Sequence, residues 1–452
     1  MSRRWFGTDG IRGIANVDLT PELALAVGRA TAEVLRAAAG ARGEPGPAPA
    51  VPRLLVGRDT RRSGAMLEAA LAAGVASAGG CAVLAGVLPT PGVSRLVAAG
   101  DYHGGVVISA SHNPFRDNGI KLFGPDGKKL PDSVELEVEA RMEAAAGRAP
   151  EVGVVETLPA AVPAYVDDLV PALGVDLSGL RVLLDCAHGA TYQAAPLAFH
   201  MAGAFTETVC AAPDGVNINA ACGSTDPTFL ASRVAQGDYD MGLAFDGDGD
   251  RVLAVDSAGR VVDGDQIMAV LALWLHEQGR LAGDTVVVTS MSNLGFHRAM
   301  RQRGLRVEIT DVGDRYVLER MERVGAVLGG EQSGHVIYLD AGATGDGLQT
   351  ALLLGHVVRA SGRPLAELAG VVRRFPQLLL NVRVQDKSRL AEAAAVWQAV
   401  HREEEALGDE GRIVLRPSGT EPLVRVMVEA PTEERCRDVA ERLAAAVAQA
   451  LG

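Results

Sequence analysis

Short aliphatic and β-branched runs alternate along the chain with Ala-rich amphipathic segments. Runs such as Arg181-Val-Leu-Leu-Asp and Thr285-Val-Val-Val-Thr are apolar at successive positions, which suits strands covered on both faces, with the amphipathic segments as the covering helices. The pattern restarts. A first unit holds Leu54-Leu-Val-Gly-Arg-Asp, a helix over about 64–78, Cys81-Ala-Val-Leu and Gly105-Val-Val-Ile. A second holds Arg181-Val-Leu-Leu-Asp, a helix over about 191–202 and Met241-Gly-Leu-Ala-Phe. A third holds Thr285-Val-Val-Val-Thr, Val307-Glu-Ile-Thr and Ala326-Val-Leu-Gly-Gly. The end of the chain differs: strands at Asn381-Val-Arg-Val, Arg412-Ile-Val-Leu and Leu423-Val-Arg-Val-Met-Val, with helices over 387–406 and 433–450, predict a small α+β domain. Pro- and Gly-rich connections fall at Gly40–Pro52 and around Gly362–Pro376, the first a surface loop and the second a hinge.

In each of the three α/β units a polar cluster follows the carboxyl end of a strand, the edge at which open α/β sheets bind ligands. The clusters are Ser109-Ala-Ser-His-Asn-Pro114, Asp246-Gly-Asp-Gly-Asp-Arg251 and Glu331-Gln-Ser-Gly-His335. In the second, three carboxylates alternate with glycines and can converge on one hard cation, so oxygen-only ligands point to Mg²⁺ or Ca²⁺. An EF-hand is excluded by Arg251 at the loop's sixth position and Ser257 at its twelfth. Ser111 beside His112 invites a Ser-His nucleophile, but the G-x-S-x-G elbow is absent, and triads draw on separate segments. Beside a metal-binding loop, a serine can instead carry a phosphoryl group, whose charge of about −2 calls for Mg²⁺ and arginine. Arg416-Pro-Ser-Gly-Thr-Glu-Pro422 joins a guanidinium, hydroxyls and exposed backbone into a phosphate-binding nest, with Arg425 as a second cation. Glu331 and Ser333 can hydrogen-bond neighbouring sugar hydroxyls.

Composition narrows the ligand. With 43 Lys+Arg against 56 Asp+Glu in 452 residues, the net charge is −13, and only 4% of residues are aromatic. Nucleic acid is therefore not an expected partner, while a small anion in a locally basic site is. No apolar stretch predicts a membrane span or a leader, and a cytoplasmic location is expected. The five cysteines, Cys81, Cys186, Cys210, Cys222 and Cys436, form no C-x-x-C pair and are expected to be buried thiols. The 53 glycines exceed the average share, as tight ligand loops require.

Together with Phe6-Gly-Thr-Asp-Gly-Ile-Arg-Gly13, these loops resemble, in order and wording, the α-D-phosphohexomutase superfamily over essentially the whole chain. Met291-Ser-Asn-Leu-Gly295, Val312-Gly-Asp-Arg-Tyr-Val317 and Gln332 resemble its glucosamine-phosphate branch. Two positions depart from the pattern, His188 where Asn is usual and Asp226 where His is common. The resemblance implies three related α/β domains with mixed sheets and a smaller C-terminal α+β domain around a central cleft, bounded at 1–160, 161–257, 258–370 and 371–452. It implies interconversion of glucosamine 6-phosphate and glucosamine 1-phosphate through phosphoserine and a sugar bisphosphate, which serves as activator and intermediate, to supply amino-sugar and cell-wall precursors. Ser111 would carry the phosphoryl group and, with Asp246, Asp248 and Asp250, bind one Mg²⁺ per site. Arg12 and Arg251 would neutralise charge, Lys121 would serve as general base provided its pKa falls, and His112 completes the catalytic set. Glu331, Ser333 and His335 would hold the sugar. Arg416, Ser418, Gly419 and Thr420 would grip the distal phosphate, with Arg315 and Arg425 converging on the same cleft. A kinase or bisphosphate donor must first charge Ser111, and a homodimer is compatible with the pattern.

A phosphoglucomutase or phosphomannomutase is the alternative within the superfamily. A Mg²⁺-dependent sugar phosphatase and a catalytically idle sugar-phosphate binder are the alternatives outside it. The phosphatase reading is weakened because Asp248-Gly-Asp-Arg does not match a D-x-D-G-T nucleophile loop.

Overall fold

The computed structural model describes residues 4–7, 9–41, 51–144, 149, 151–418 and 422–452. Most of the loop expected between Gly40 and Pro52 lies outside them. The buried aliphatic runs form four sheets. The first has seven strands, in the order Phe6–Gly7, Gly10–Ile14, Asp117–Phe123, Gly104–Ile108, Arg53–Arg58, Cys81–Val87 and Val154–Thr157. It is mixed: the strands at 53–58, 81–87, 104–108 and 154–157 are parallel, and Asp117–Phe123 runs antiparallel to its neighbours. The second sheet orders Val261–Val262, Val252–Asp256, Met241–Phe245, Arg181–Asp185 and Phe205–Val209. The third orders Arg306–Thr310, Thr285–Thr289, Leu328–Gly330 and Val336–Tyr338, and is again mixed. The expected restarts of the α/β pattern are these three sheets.

The fourth sheet is antiparallel, with Leu423–Glu429 between Gln377–Arg383 and Arg412–Pro417. Its first strand begins four residues before the sequence pattern suggests. The single helix expected over 387–406 is a 3₁₀ turn, Lys387–Glu392, followed by an α-helix, Ala394–Leu407. The break falls at Ala393, whose ψ of 75° is not helical, while Asp386 caps the first turn by accepting from Ser388 N. The proposed hinge around residues 362–376 contains a short helix, Leu365–Ala369.

Helices such as Gly64–Ser77, Thr191–Met201 and Gly264–Glu277 pack on the sheets. One continuous apolar cluster, running from Leu55 through Tyr165, Phe199, Phe245 and Phe296 to Val372, links the first three α/β units. The C-terminal sheet keeps its own core around Val396, Val426 and Leu443. The carboxyl ends of the central strands in the first three sheets are thereby held in a shared frame. Among the described residues, no helix is long and apolar enough to cross a membrane. Cys81, Cys186, Cys222 and Cys436 are buried as expected, but Cys210 is half-buried.

Candidate active site

The strand Gly104–Ile108 delivers the serine loop, and Met241–Phe245 delivers the carboxylate loop, so the two meet across the junction of the first and second units. Ser111 is buried and adopts φ of 50°, a left-handed conformation uncommon for a residue with a Cβ. Surrounding contacts hold this geometry. Its Oγ donates to Asp246 Oδ2 at 2.6 Å and lies 3.2 Å from His112 Nδ1. Gly247 makes the approach feasible, since a Cβ there would fall 2.5 Å from the Ser111 carbonyl oxygen.

Asp246, Asp248 and Asp250 are all buried and each presents an oxygen within 4.8 Å of the other two. Burial and the neighbouring Asp250 and Asp248 push the Asp246 carboxyl well above the usual carboxylate range. Burial acts in the same direction on Asp248, but the Lys121 ammonium and Thr90 more than offset it, leaving its pKa lowered. Thr90 Oγ1 donates to Asp248 Oδ2 at 2.7 Å and Lys121 Nζ donates to the same oxygen at 3.0 Å. Asp248 Oδ1 and Asp250 Oδ1 are buried without a hydrogen-bond partner. Crowded acids with orphaned hard oxygens beside a serine hydroxyl fit a divalent, oxygen-seeking cation such as Mg²⁺.

Lys121 is fully enclosed, at 3.0 Å from Asp248, 3.2 Å from Asp9 and 3.7 Å from Asp250. Burial alone would push its pKa down, but these three carboxylates outweigh it and raise the pKa above the ordinary lysine value. The condition for a general base, a depressed lysine pKa, is therefore not met in this arrangement. Arg12 pairs with Asp9. Burial lowers the His112 pKa, and the nearby Arg251 and Arg12 charges add to the effect. Arg251 itself lies 3.7 Å from Asp250.

The third unit closes against the carboxylate loop through its backbone, with Val252 N donating to Gly334 O at 3.1 Å and Gly347 N to Gly249 O at 3.0 Å. This brings the Glu331 charge near Arg251. Ser333 Oγ donates to Glu331 Oε2 at 3.3 Å, and Glu331 Oε1 accepts from Gly313 N at 3.2 Å. His335 is buried, with neither ring nitrogen hydrogen-bonded, and its Nε2 is 3.8 Å from Asp314. Arg315 pairs with Asp132 of the first unit and with Glu319 at 3.1 Å, and lines one cavity with Asp314 and His335. On the C-terminal sheet Arg416 and Arg425 are register partners, and the Nε of each is buried without a partner. Burial and Arg425 lower the Arg416 pKa. Ser418 is buried, and its carbonyl accepts from Lys387 Nζ at 2.6 Å. Gly419 and Thr420 lie outside the described residues.

Several supporting residues were not singled out from sequence. Arg61, among the most buried side chains of the molecule, pairs with Asp59 at 2.8 Å and donates to the carbonyls of Ser111, Asn113, Pro114 and Asp117. Asp59 Oδ2 accepts from Ser109 Oγ at 2.5 Å, and Ser109 Oγ accepts from Ser111 N at 2.9 Å. Asn219 donates to the Ser111 and Asn113 carbonyls from the second unit. Lys129 bridges Asp9 and Asp314. Asp59 and Asp9 sit at a strand end and inside the Phe6–Gly13 motif, which were the available signals; Arg61, Asn219 and Thr90 carried none.

Four family models match in order. They are described as phosphoglucomutase/phosphomannomutase alpha/beta/alpha domain I over residues 3–148, domain II over 163–259, domain III over 263–375 and the C-terminal domain over 379–446. Among similar proteins, a phosphoglucosamine mutase of Desulforudis audaxviator is 51% identical over 449 residues, covering 98% of each chain. One of Saccharopolyspora erythraea is 54% identical over 448 residues, covering 98% of this chain and 99% of the relative. Among solved structures, a phosphoglucomutase/phosphomannomutase family protein of Burkholderia thailandensis superposes with a TM-score of 0.80 at 24% identity, over 98% of this chain and 97% of that one. The Aspergillus fumigatus N-acetylphosphoglucosamine mutase, solved with GlcNAc-6P and magnesium, gives 0.70 at 18% identity, over 100% of this chain and 96% of that one.

Proposed function

The chain belongs to the phosphoglucomutase/phosphomannomutase family, and from that premise we propose that it interconverts glucosamine 6-phosphate and glucosamine 1-phosphate. The observation that carries this reading is the buried Ser111 hydroxyl, 2.6 Å from a three-carboxylate cluster. Relatives named phosphoglucosamine mutase at about 50% identity along the full length support the choice of sugar. The same reading divides the chain at residues 160, 257 and 370.

In the proposed reaction the phosphoserine P–Oγ bond breaks as a bond forms from phosphorus to O1 of glucosamine 6-phosphate. The proton lost by O1 ends on the departing Ser111 Oγ, with His112 Nδ1, 3.2 Å from Oγ, as its donor. The 1,6-bisphosphate turns over, its P–O6 bond breaks, and Ser111 Oγ regains the phosphoryl group while O6 takes back the proton. Phosphoryl transfer is loose and spreads charge over the peripheral oxygens, so positioning and cations do most of the work. Asp246, Asp248 and Asp250, with a phosphoserine oxygen, would hold one Mg²⁺, which would supply Lewis-acid stabilisation of that charge. Lys121 and Arg251 serve as fixed cations, with Arg12 at the edge beside Asp9. Lys121 thus acts charged, as a phosphoryl-stabilising group.

Glu331, Ser333 and His335 orient the sugar hydroxyls. Arg416, Ser418, Gly419, Thr420 and Arg425 grip the phosphate that is not reacting. Because O1 and O6 take turns at Ser111, the distal grip must accept a phosphate from either end of the sugar. Arg315, held by Asp132, has to leave that pair to reach substrate. Ser111 receives its first phosphoryl group from a bisphosphate donor or a kinase.

Steady-state rates on glucosamine 6-phosphate, glucose 6-phosphate and mannose 6-phosphate, with a trace of the matching bisphosphate, test the proposal. Glucosamine 6-phosphate should give the highest kcat/KM. A higher value for glucose or mannose phosphate would overturn the sugar assignment, and net release of inorganic phosphate would point to a phosphatase.

A further inference from the structure

Outside the reaction centre, three donors from distant parts of the second unit converge. One ligand atom each from His188, Cys210 and Cys222 lies within 4.8 Å of the other two. The chain adopts uncommon backbone conformations there, with φ of 52° at Ala187, 48° at His188 and 49° at Cys210. Cys222 is buried, whereas His188 and Cys210 are half-buried and leave a route from solvent. The arrangement is secured by hydrogen bonds: Asp185 accepts from Ala187 N at 2.9 Å and from Gly223 N at 2.9 Å, and Thr60 Oγ1 donates to His188 O at 2.6 Å.

We propose that His188, Cys210 and Cys222 form a binding site for a tetrahedral, thiolate-seeking divalent cation, with Zn²⁺ as its occupant. Two sulfurs and one imidazole nitrogen suit Zn²⁺ and disfavour the hard Mg²⁺ that fits the aspartate cluster. Binding forms two S–Zn bonds and one N–Zn bond, breaks two S–H bonds and releases two protons to water; a water molecule fills the fourth position. His188 Nδ1 accepts only a long, 3.3 Å hydrogen bond from the exposed Ala212 N–H, which water can replace when the nitrogen turns to the metal.

The site is independent of the sugar assignment. Its consequence is mechanical, because Asn219 lies on the segment between the two cysteines and donates to Ser111 O at 2.9 Å. A cation joining Cys210, Cys222 and His188 would pin both ends of that segment.

The test uses full-length protein stripped with a chelator, kept reduced with a phosphine, saturated with Mg²⁺ and titrated with Co²⁺. The expected result is a thiolate-to-cobalt charge-transfer band that saturates at one equivalent and is displaced by Zn²⁺. The band should vanish in the Cys210→Ser, Cys222→Ser double variant, and His188→Ala should weaken binding at least about tenfold, the loss seen even for outer-shell partners. Should the double variant misfold, alkylation of the wild-type protein followed by peptide mass spectrometry replaces it, with Zn²⁺ but not Mg²⁺ expected to protect Cys210 and Cys222. Absence of the band, its persistence in the double variant, unprotected cysteines, or a Cys210–Cys222 disulfide under these conditions would each overturn the proposal.

Discussion

Replacing Arg61 with methionine tests whether the serine loop is held in place from beneath. The side chain is fully buried, pairs with Asp59 at 2.8 Å, and reaches four backbone carbonyls of the segment from Ser111 to Asp117. Methionine fills much of the volume but leaves Asp59 without its counter-ion. Breaking a buried ion pair on one side costs about 3–5 kcal/mol, because the remaining charge stays buried. Burial already raises the Asp59 pKa against the opposing pull of Arg61, so the variant should take up a proton there instead of keeping a bare charge, placing the loss toward the lower end. Activity should fall further than stability suggests. Ser111 sits at φ of 50° and a displacement of about 1 Å costs about 10²-fold in rate. Thermal unfolding of the Mg²⁺-loaded protein and the steady-state rate on glucosamine 6-phosphate measure the two effects. Arg61→Lys should also lose rate, since a lysine lacks the fork that spans several carbonyls. A stability change within about 0.5 kcal/mol, the range of ordinary surface substitutions, together with wild-type turnover would refute the reasoning.

Other predictions follow from neighbouring contacts. Gly247→Ala places a Cβ 2.5 Å from the Ser111 carbonyl oxygen and 2.8 Å from Asn219 Nδ2, so overpacking should cost about 1–3 kcal/mol with turnover lost; a fully active variant would show that the two loops do not approach as described. Mg²⁺ should raise the melting temperature by relieving repulsion among Asp246, Asp248 and Asp250, the added stability reaching about 2.7 kcal/mol at a hundredfold excess over Kd, and Asp248→Asn should lose most of it. Burial and Asp263 raise the Asp265 pKa from 3.8 to about 7. The folded state therefore holds a proton that the unfolded chain releases, so this contribution to stability is present below pH ~4 and lost as the pH rises toward about 7. Asp265→Asn should flatten the decline over that window, and an unchanged pH–stability profile would contradict the assignment.

The loops were legible because each carries its chemistry in consecutive residues after a buried strand. Asp246-Gly-Asp-Gly-Asp predicts converging oxygens without knowledge of the fold. Contacts between units were not legible in the same way. Arg61 and Thr90 belong to the first unit, yet Thr90 holds Asp248 of the second, and nothing in local spacing reports such a pairing. Lys121 shows a related gap: its position follows from the short strand Asp117–Phe123, but its charge state depends on Asp9, Asp248 and Asp250, brought from two other segments. The resemblance implies Arg315 in the cleft, but not the pair its long side chain makes with Asp132 of the first unit. Cysteine spacing alone cannot show that Cys210 and Cys222 fold onto His188. The helix expected over 387–406 splits at Ala393, whose non-helical ψ of 75° is a one-residue departure that periodicity averages out.

The central claim is that Ser111 carries the phosphoryl group that moves between the two ends of the sugar. Phosphorylated enzyme, prepared with a sugar bisphosphate and freed of it, can be mixed with glucosamine 6-phosphate in a single turnover and followed by intact mass and product analysis. The account predicts a species about 80 Da heavier, as expected for one phosphoryl group, located at Ser111 and absent from Ser111→Ala. That mass should disappear as glucosamine 1,6-bisphosphate forms in equal amount. An enzyme that turns over at full rate with Ser111 unmodified throughout, or a phosphoryl group that leaves only as inorganic phosphate, would contradict it.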